Sequence, residues 1–134
     1  MKIITTMLEE ELYESTNIHG NKVQVDMRPR QHKVGLSPVE SLVSSIAACG
    51  AVDIVVMLRK RKKTVQAFTI ETDATRREDH PRAVTHIHCK YCLASPDATE
   101  DEVGKIAKLA LEKYCSVAAS VKSDITYSVE IRRP

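Results

Sequence analysis

From residue 37 to residue 63 the chain is apolar or small at nearly every position, and Cys49 stands near the middle of the run: SPVESLVSSIAACGAVDIVVMLRKRKK. The pattern predicts one long helix ending near residue 62. Ser37 suits the N-cap. Pro38 suits the first helical position, whose N–H has no intrahelical partner, and Glu40 completes a capping box. Arg59, Lys60, Arg61, Lys62 and Lys63 put positive charge at the negative end of the helix dipole. So apolar a helix, poor in large side chains, predicts burial on several sides, with a partner subunit supplying part of the cover.

The remaining segments read mainly as strands. Ile4, Leu8 and Leu12 recur among threonines and glutamates over residues 2–13 and predict one strand. After the turn residues 17–21, Val23, Val25 and Met27 alternate with polar positions and complete a hairpin. Phe68, Ile70, Thr72 and Ala74 predict a strand, and residues 84–93 its hairpin partner. Within that partner Ile87, Cys89, Tyr91 and Leu93 share one face, while Val84, His86, His88, Lys90 and Cys92 share the other. Thr99 and Glu102 form a second capping box, followed by Val103, Ile106, Ala107, Ala110 and Leu111 at helical spacing. Ile125, Tyr127, Val129 and Ile131 alternate cleanly and predict a half-buried strand. The predicted order is β-β-α-β-β-α-β, an α+β fold.

Composition narrows the picture. A chain of 134 residues predicts a single domain, residues 1–134. One Phe, four Tyr and no Trp leave the core to aliphatic residues. A net charge of +2 argues against nucleic acid as a partner. The apolar run from 47 to 58 is broken by Asp53 and is shorter than a membrane span requires. The N-terminal residues turn acidic within eight positions, unlike a signal peptide, so a soluble cytoplasmic protein is expected. In that compartment the four cysteines, at 49, 89, 92 and 115, are not expected to form structural disulfides.

Each candidate chemical group also has a structural explanation. A free Cys such as Cys49 is most often a small buried hydrophobe. Cys89 and Cys92 match a CxxC spacing, but residues three apart on a strand point to opposite faces, so neither a metal nor a redox pair is expected there. His86 and His88 are expected on a solvated polar face. None of the glycines, at 20, 35, 50 and 104, forms a phosphate-cradling loop, so no bound cofactor is expected.

Three features together resemble the OsmC/Ohr superfamily of organic hydroperoxide reductases, in its OsmC-like branch. One is the segment GLSPVESLVSSIAACGAVDIVVMLRK, with Pro38 eleven residues before Cys49. Another is Cys115 within KYCSVAAS, behind the second helix. The third is the element order itself. The resemblance implies an intertwined homodimer with the long helices at its centre, and a thiol peroxidase. On that model Cys49 attacks the peroxide and becomes a sulfenic acid, Cys115 captures it as a disulfide, and an external thiol or dithiol reduces the pair. In Ohr-like members a Glu follows the Pro and, with an Arg from the N-terminal hairpin, holds the thiolate. Here Val39 follows Pro38 and the turn at 17–22 has no Arg. Glu40 and either Arg28 or Arg30 are the remaining polar candidates.

Two functions follow as expectations. The first is a thiol-dependent reductase of small organic hydroperoxides in oxidative-stress defence, with Cys49, Cys115, Glu40, Arg28 and Arg30 as its site. The second is a non-catalytic protein on the same scaffold, holding a small hydrophobic ligand in the dimer cleft. Asp53, four residues after Cys49, places a negative charge that opposes thiolate formation.

Overall fold

The computed structural model describes all residues, Met1–Pro134. It divides into two compact units, Met1–Leu42 and Val43–Pro134.

The first unit is an antiparallel meander of β1 (Ile4–Glu9), β2 (Leu12–Thr16) and β3 (Lys22–Asp26). The expectation of one strand across residues 2–13 is overturned. Glu10 and Glu11 turn the chain between β1 and β2, with Glu11 at φ 66 in the left-handed region. No glycine or asparagine marks that turn, so it lacks the usual hairpin signature. Asp26, at the end of β3, is buried and organises the segment after it. Its Oδ2 accepts from the Val34 N–H at 2.7 Å and the Gly35 N–H at 3.2 Å, and Arg28 Nη2 donates to it at 3.0 Å. The Arg28 side chain, chiefly, holds the Asp26 carboxyl well below the usual carboxylate range. Paired residues of an antiparallel sheet share a face, so Met7, Tyr13 and Val25 stand together, as do Thr5, Ser15 and Val23 beside them. Met7, Tyr13 and Val23 on that face are exposed.

The long helix α1 (Pro38–Lys60) begins as expected. Ser37 N–H donates to Glu40 Oε1 at 2.9 Å, and Glu40 N–H donates to Ser37 Oγ at 3.2 Å. By length and composition alone α1 could cross a membrane, although the apolar run had looked too short. Within the second unit, however, Ile46, Gly50, Ile54 and Leu58 form a buried row at a spacing of four. Full burial of a side chain such as Ile or Leu is worth about 1.5–3 kcal/mol, and a cap about 1 kcal/mol. The buried row therefore fixes where α1 lies, and the capping box fixes where it starts. Leu42, Val52 and Val56 on its other sides stay exposed.

The second sheet has β5 (Val84–Ala94) at its centre, antiparallel to β4 (Ala67–Arg76) and parallel to β6 (Asp124–Arg132). Ile87, Cys89, Tyr91 and Leu93 all point into the core, as their alternation predicted. The crossover from β5 to β6 holds α2 (Glu100–Leu109), a π-helical segment over Ala110–Tyr114, and the short α3 (Ser116–Ala119). Thr99 Oγ1 caps α2 by accepting from Glu102 N–H at 3.2 Å. Glu102 itself faces Arg61 at 3.6 Å and Lys63 at 3.7 Å, which binds the basic tail after α1 to the start of α2. That pairing gives the basic run a role inside the chain. The architecture is the α+β fold expected, with an added strand in the N-terminal meander and a π-helical segment within the last crossover.

Candidate functional site

α2 is followed by a break that reorients the chain. The Cys115 N–H donates to Ala110 O at 2.7 Å, a bond spanning five residues that closes the π-helical segment. One extra residue in a helical turn rotates everything after it by roughly 100° about the axis. Cys115 then leaves the helical region, at φ −75 and ψ 102, and caps α3. Its Sγ accepts from the Ala118 N–H at 3.3 Å. Only 2% of Cys115 is exposed.

Cys49 approaches the same point from α1. It is partly buried, and its side chain lies close enough to the Cys115 thiol to act on it. Burial first, and the Cys49 thiol next, push the Cys115 pKa up to about 11, against the Ala118 and Val117 N–H groups, which favour its thiolate. Cys115 is therefore a neutral thiol at physiological pH. The structure thus brings together two of the five site residues expected from sequence, 66 positions apart.

Tyr91, Gly50, Cys89 and Thr72 lie around this point and were not among the site residues expected. Tyr91, fully buried on β5, directs its hydroxyl at Gly50, where a Cβ would lie 2.7 Å from Oη. Burial raises the Tyr91 pKa first, and the Cys89, Cys115 and Cys49 thiols add to the shift. Cys89 sits two residues before Tyr91, opposite Thr72 of β4. Its thiol is pushed up by burial, with the Tyr91 and Thr72 hydroxyls acting the other way. The Tyr91 and Thr72 hydroxyl oxygens are buried with no nitrogen or oxygen partner, and the Cys89 thiol is the polar group beside both. A sequence signal for this contact did exist. Glycine inside a helix costs about 1 kcal/mol against alanine, so Gly50 marked a place where something comes close.

Glu40, Arg28 and Arg30 lie in the first unit. Glu40 serves the capping box, with Lys33 Nζ 3.7 Å from its Oε1. Arg28 donates from Nε and Nη2 to Asp26, at 3.1 and 3.0 Å, and from Nη1 to Glu9 at 3.2 Å, so carboxylates engage the guanidinium on both edges. Arg30 is exposed, and its carbonyl accepts from the Lys33 N–H at 3.4 Å.

The other sequence candidates fall on the far side of the sheet or in its core. Cys89 and Cys92 point to opposite faces, and Cys92 Sγ donates to Glu130 Oε2 at 3.5 Å. His88 is bracketed by Thr126 Oγ1, 2.6 Å from Nδ1, and Ser128 Oγ, 3.0 Å from Nε2. On the outer side of α1 a groove of about 300 Å³ is lined by Asp53, Val56, Met57, Lys60, Leu109 and Tyr114. Asp53 Oδ2 is buried there without a hydrogen-bond partner.

The family model for OsmC-like proteins matches residues 30–130. This chain belongs to the OsmC-like family. Among curated relatives, Protein YhfA of Escherichia coli K12 is 33% identical over 97 residues, covering 71% of this chain and 72% of YhfA. Among solved structures, a hypothetical protein from Aquifex aeolicus VF5 superposes with a TM-score of 0.86 at 29% identity, covering 99% of this chain and 96% of that one. The organic hydroperoxide resistance protein OhrB of Bacillus subtilis shares the fold, with a TM-score of 0.62 at 13% identity over 98% of both chains. The OsmC-like match includes α1, β4, β5 and α2, and so both Cys49 and Cys115.

Proposed function

We propose that this protein is a thiol-dependent reductase of organic hydroperoxides, with Cys49 as the peroxidatic residue and Cys115 as the resolving one. The observation that carries this reading is the approach of Cys49, on α1, to the buried Cys115 at the start of α3. The Cys49 thiolate attacks one oxygen of the peroxide. An S–O bond forms, the O–O bond breaks, and the departing alkoxide takes a proton to leave as an alcohol. Cys115, which burial keeps protonated at rest, gives up its proton as its sulfur attacks the Cys49 sulfur. An S–S bond forms, the S–O bond breaks, and the Cys115 proton leaves with the hydroxide as water. An external dithiol returns the pair to the reduced state by exchange. This cycle needs a reducing compartment, so the reading places the protein in the cytoplasm.

The same reading includes a homodimer. Met7, Tyr13 and Val23 on one face of the meander, and Val52 and Val56 on α1, are large apolar side chains left exposed within one chain. A second copy is the occupant that family membership favours, and burying such residues contributes to association in proportion to area.

The test is a comparison of the parent with Cys49→Ser. The expected result is consumption of an alkyl hydroperoxide with dithiothreitol as donor, lost in the variant. A peptide map of peroxide-treated parent should show Cys49 joined to Cys115. Equal peroxide consumption by the two proteins, or a map with both thiols free, would reject the assignment.

A further inference from the structure

We propose that the Tyr91 hydroxyl is a catalytic hydrogen-bond donor in the resolving step, engaging the oxygen that peroxide leaves on Cys49. The inference deepens the proposed peroxidase reading and rests on it. Three observations on this pocket carry it.

The first is the orphan itself. A buried tyrosine nearly always pairs its hydroxyl, because an unmade hydrogen bond in the interior costs about 1–3 kcal/mol. Tyr91 is fully buried, yet its oxygen has no nitrogen or oxygen partner, and the group beside it is the Cys89 thiol, a weak one. Phenylalanine would fill the same space without that cost. Such a group calls for a role in some state other than the resting one.

The second is where the hydroxyl points. It stands over Gly50, the residue next to Cys49, at a spot that any side chain would occupy. The titratable groups near enough to act on it are Cys89 on its own strand, then the Cys115 thiol from the start of α3 and the Cys49 thiol from α1. In the reduced protein these are weak acceptors. Oxidation of Cys49 introduces an S–OH oxygen, a far better acceptor, into this pocket.

The third is that the donor is held in place. The Tyr91 ring packs against Phe68 at a centroid distance of 5.9 Å, and the backbone at Gly50 closes the other side. A donor fixed in a water-poor site meets developing charge without reorganising. When Cys115 attacks, negative charge grows on the departing oxygen, and the phenol O–H donates to it. The Cys115 proton completes the water molecule. The phenol keeps its own proton, and burial favours the protonated form at every working pH.

The experiment is single-turnover oxidation of the parent and Tyr91→Phe by cumene hydroperoxide, with no reductant present. Two readouts are followed: dimedone-trappable sulfenic acid on Cys49, and the Cys49–Cys115 disulfide. In Tyr91→Phe the sulfenic acid should form at close to the parent rate and accumulate. Disulfide formation should slow on the order of a hundredfold, the usual effect of removing one such donor. A merely structural tyrosine would slow both steps together or neither. Gly50→Ala, which displaces the phenol without removing it, should slow the same step, and thermal melts of each variant confirm that it is folded. Disulfide formation at the parent rate in Tyr91→Phe overturns this inference and leaves the peroxidase reading standing. Failure of the parent to oxidise Cys49 at all overturns both.

Discussion

A Cβ on Gly50 would lie 2.7 Å from the Tyr91 hydroxyl oxygen and 3.4 Å from Leu111 Cδ2. The missing side chain is what lets α1 and β5 meet where Cys49 and Cys115 also meet. Gly50→Ala sets two effects against each other. Alanine favours the helix by about 1 kcal/mol, while overpacking a buried site costs typically 1–3 kcal/mol. The phenol ring is fully enclosed and cannot swing away freely, so the clash should win. Urea unfolding should show a loss on the order of 1 kcal/mol, and a variant more stable than the parent would contradict this packing.

Stability should fall in alkaline solution. The Cys115 thiol is raised from an ordinary 9.0 to about 11, so between these values the folded chain keeps a proton that the unfolded chain has lost. Unfolding then releases that proton, and stability falls as pH rises, by about 1.4 kcal/mol per pH unit for one group. Cys115→Ser should flatten the curve by about that slope between pH 9 and 11. Denaturant midpoints across this range measure it. Curves of equal slope would mean that burial does not hold the thiol neutral.

Cys115→Ser also isolates the first chemical step. A serine Oγ can accept from the Ala118 N–H as the sulfur does at 3.3 Å, so the cap on α3 survives. The variant should consume peroxide once and stop at a Cys49 sulfenic acid, detected as a dimedone adduct by mass spectrometry. Rapid, unbroken turnover with dithiothreitol would show that Cys115 is dispensable.

Arg28→Met should loosen the segment after β3. Its guanidinium contacts Asp26 at 3.0 and 3.1 Å, and without it a buried carboxylate keeps only backbone donors. With Arg28 present the Asp26 carboxyl is depressed, so it stabilises the fold above the ordinary carboxylate pKa of 3.8 and loses that contribution as pH falls through its folded value. In the variant the folded value moves up, so the acid loss should be smaller and should be complete at higher pH. Amide exchange at Val34 and Gly35, which donate to Asp26, should accelerate. Unchanged protection there would show that the ion pair does not hold this segment.

Ser37→Ala removes one half of the capping box, the 3.2 Å bond from Glu40 N–H to Ser37 Oγ. A loss of about 1 kcal/mol is expected from such a cap. Alkylation of Cys49 by iodoacetamide in the folded protein should be unaffected, because the cap sets the start of α1 and the buried row sets its position. A large change in alkylation rate would mean that the start of α1 is coupled to the thiol.

The sequence by itself determined the elements whose period is strong. The cap, length and charged end of α1 were legible in residues 37–63, and the core face of β5 was legible in Ile87, Cys89, Tyr91 and Leu93. It also singled out Cys49 and Cys115, through the small-residue helix around one and the segment behind the second helix around the other. The turn at Glu10 and Glu11 was hidden, because nothing in two glutamates announces a left-handed residue. The π-helical segment was hidden as well, since a bond from Cys115 to Ala110 leaves no mark on hydrophobic spacing. Only the tertiary structure decided what surrounds the thiols. Which residue faces Gly50 depends on the register of β5 against α1, and that register follows from packing of the whole core. It brought a glycine, a tyrosine and two distant cysteines into one neighbourhood.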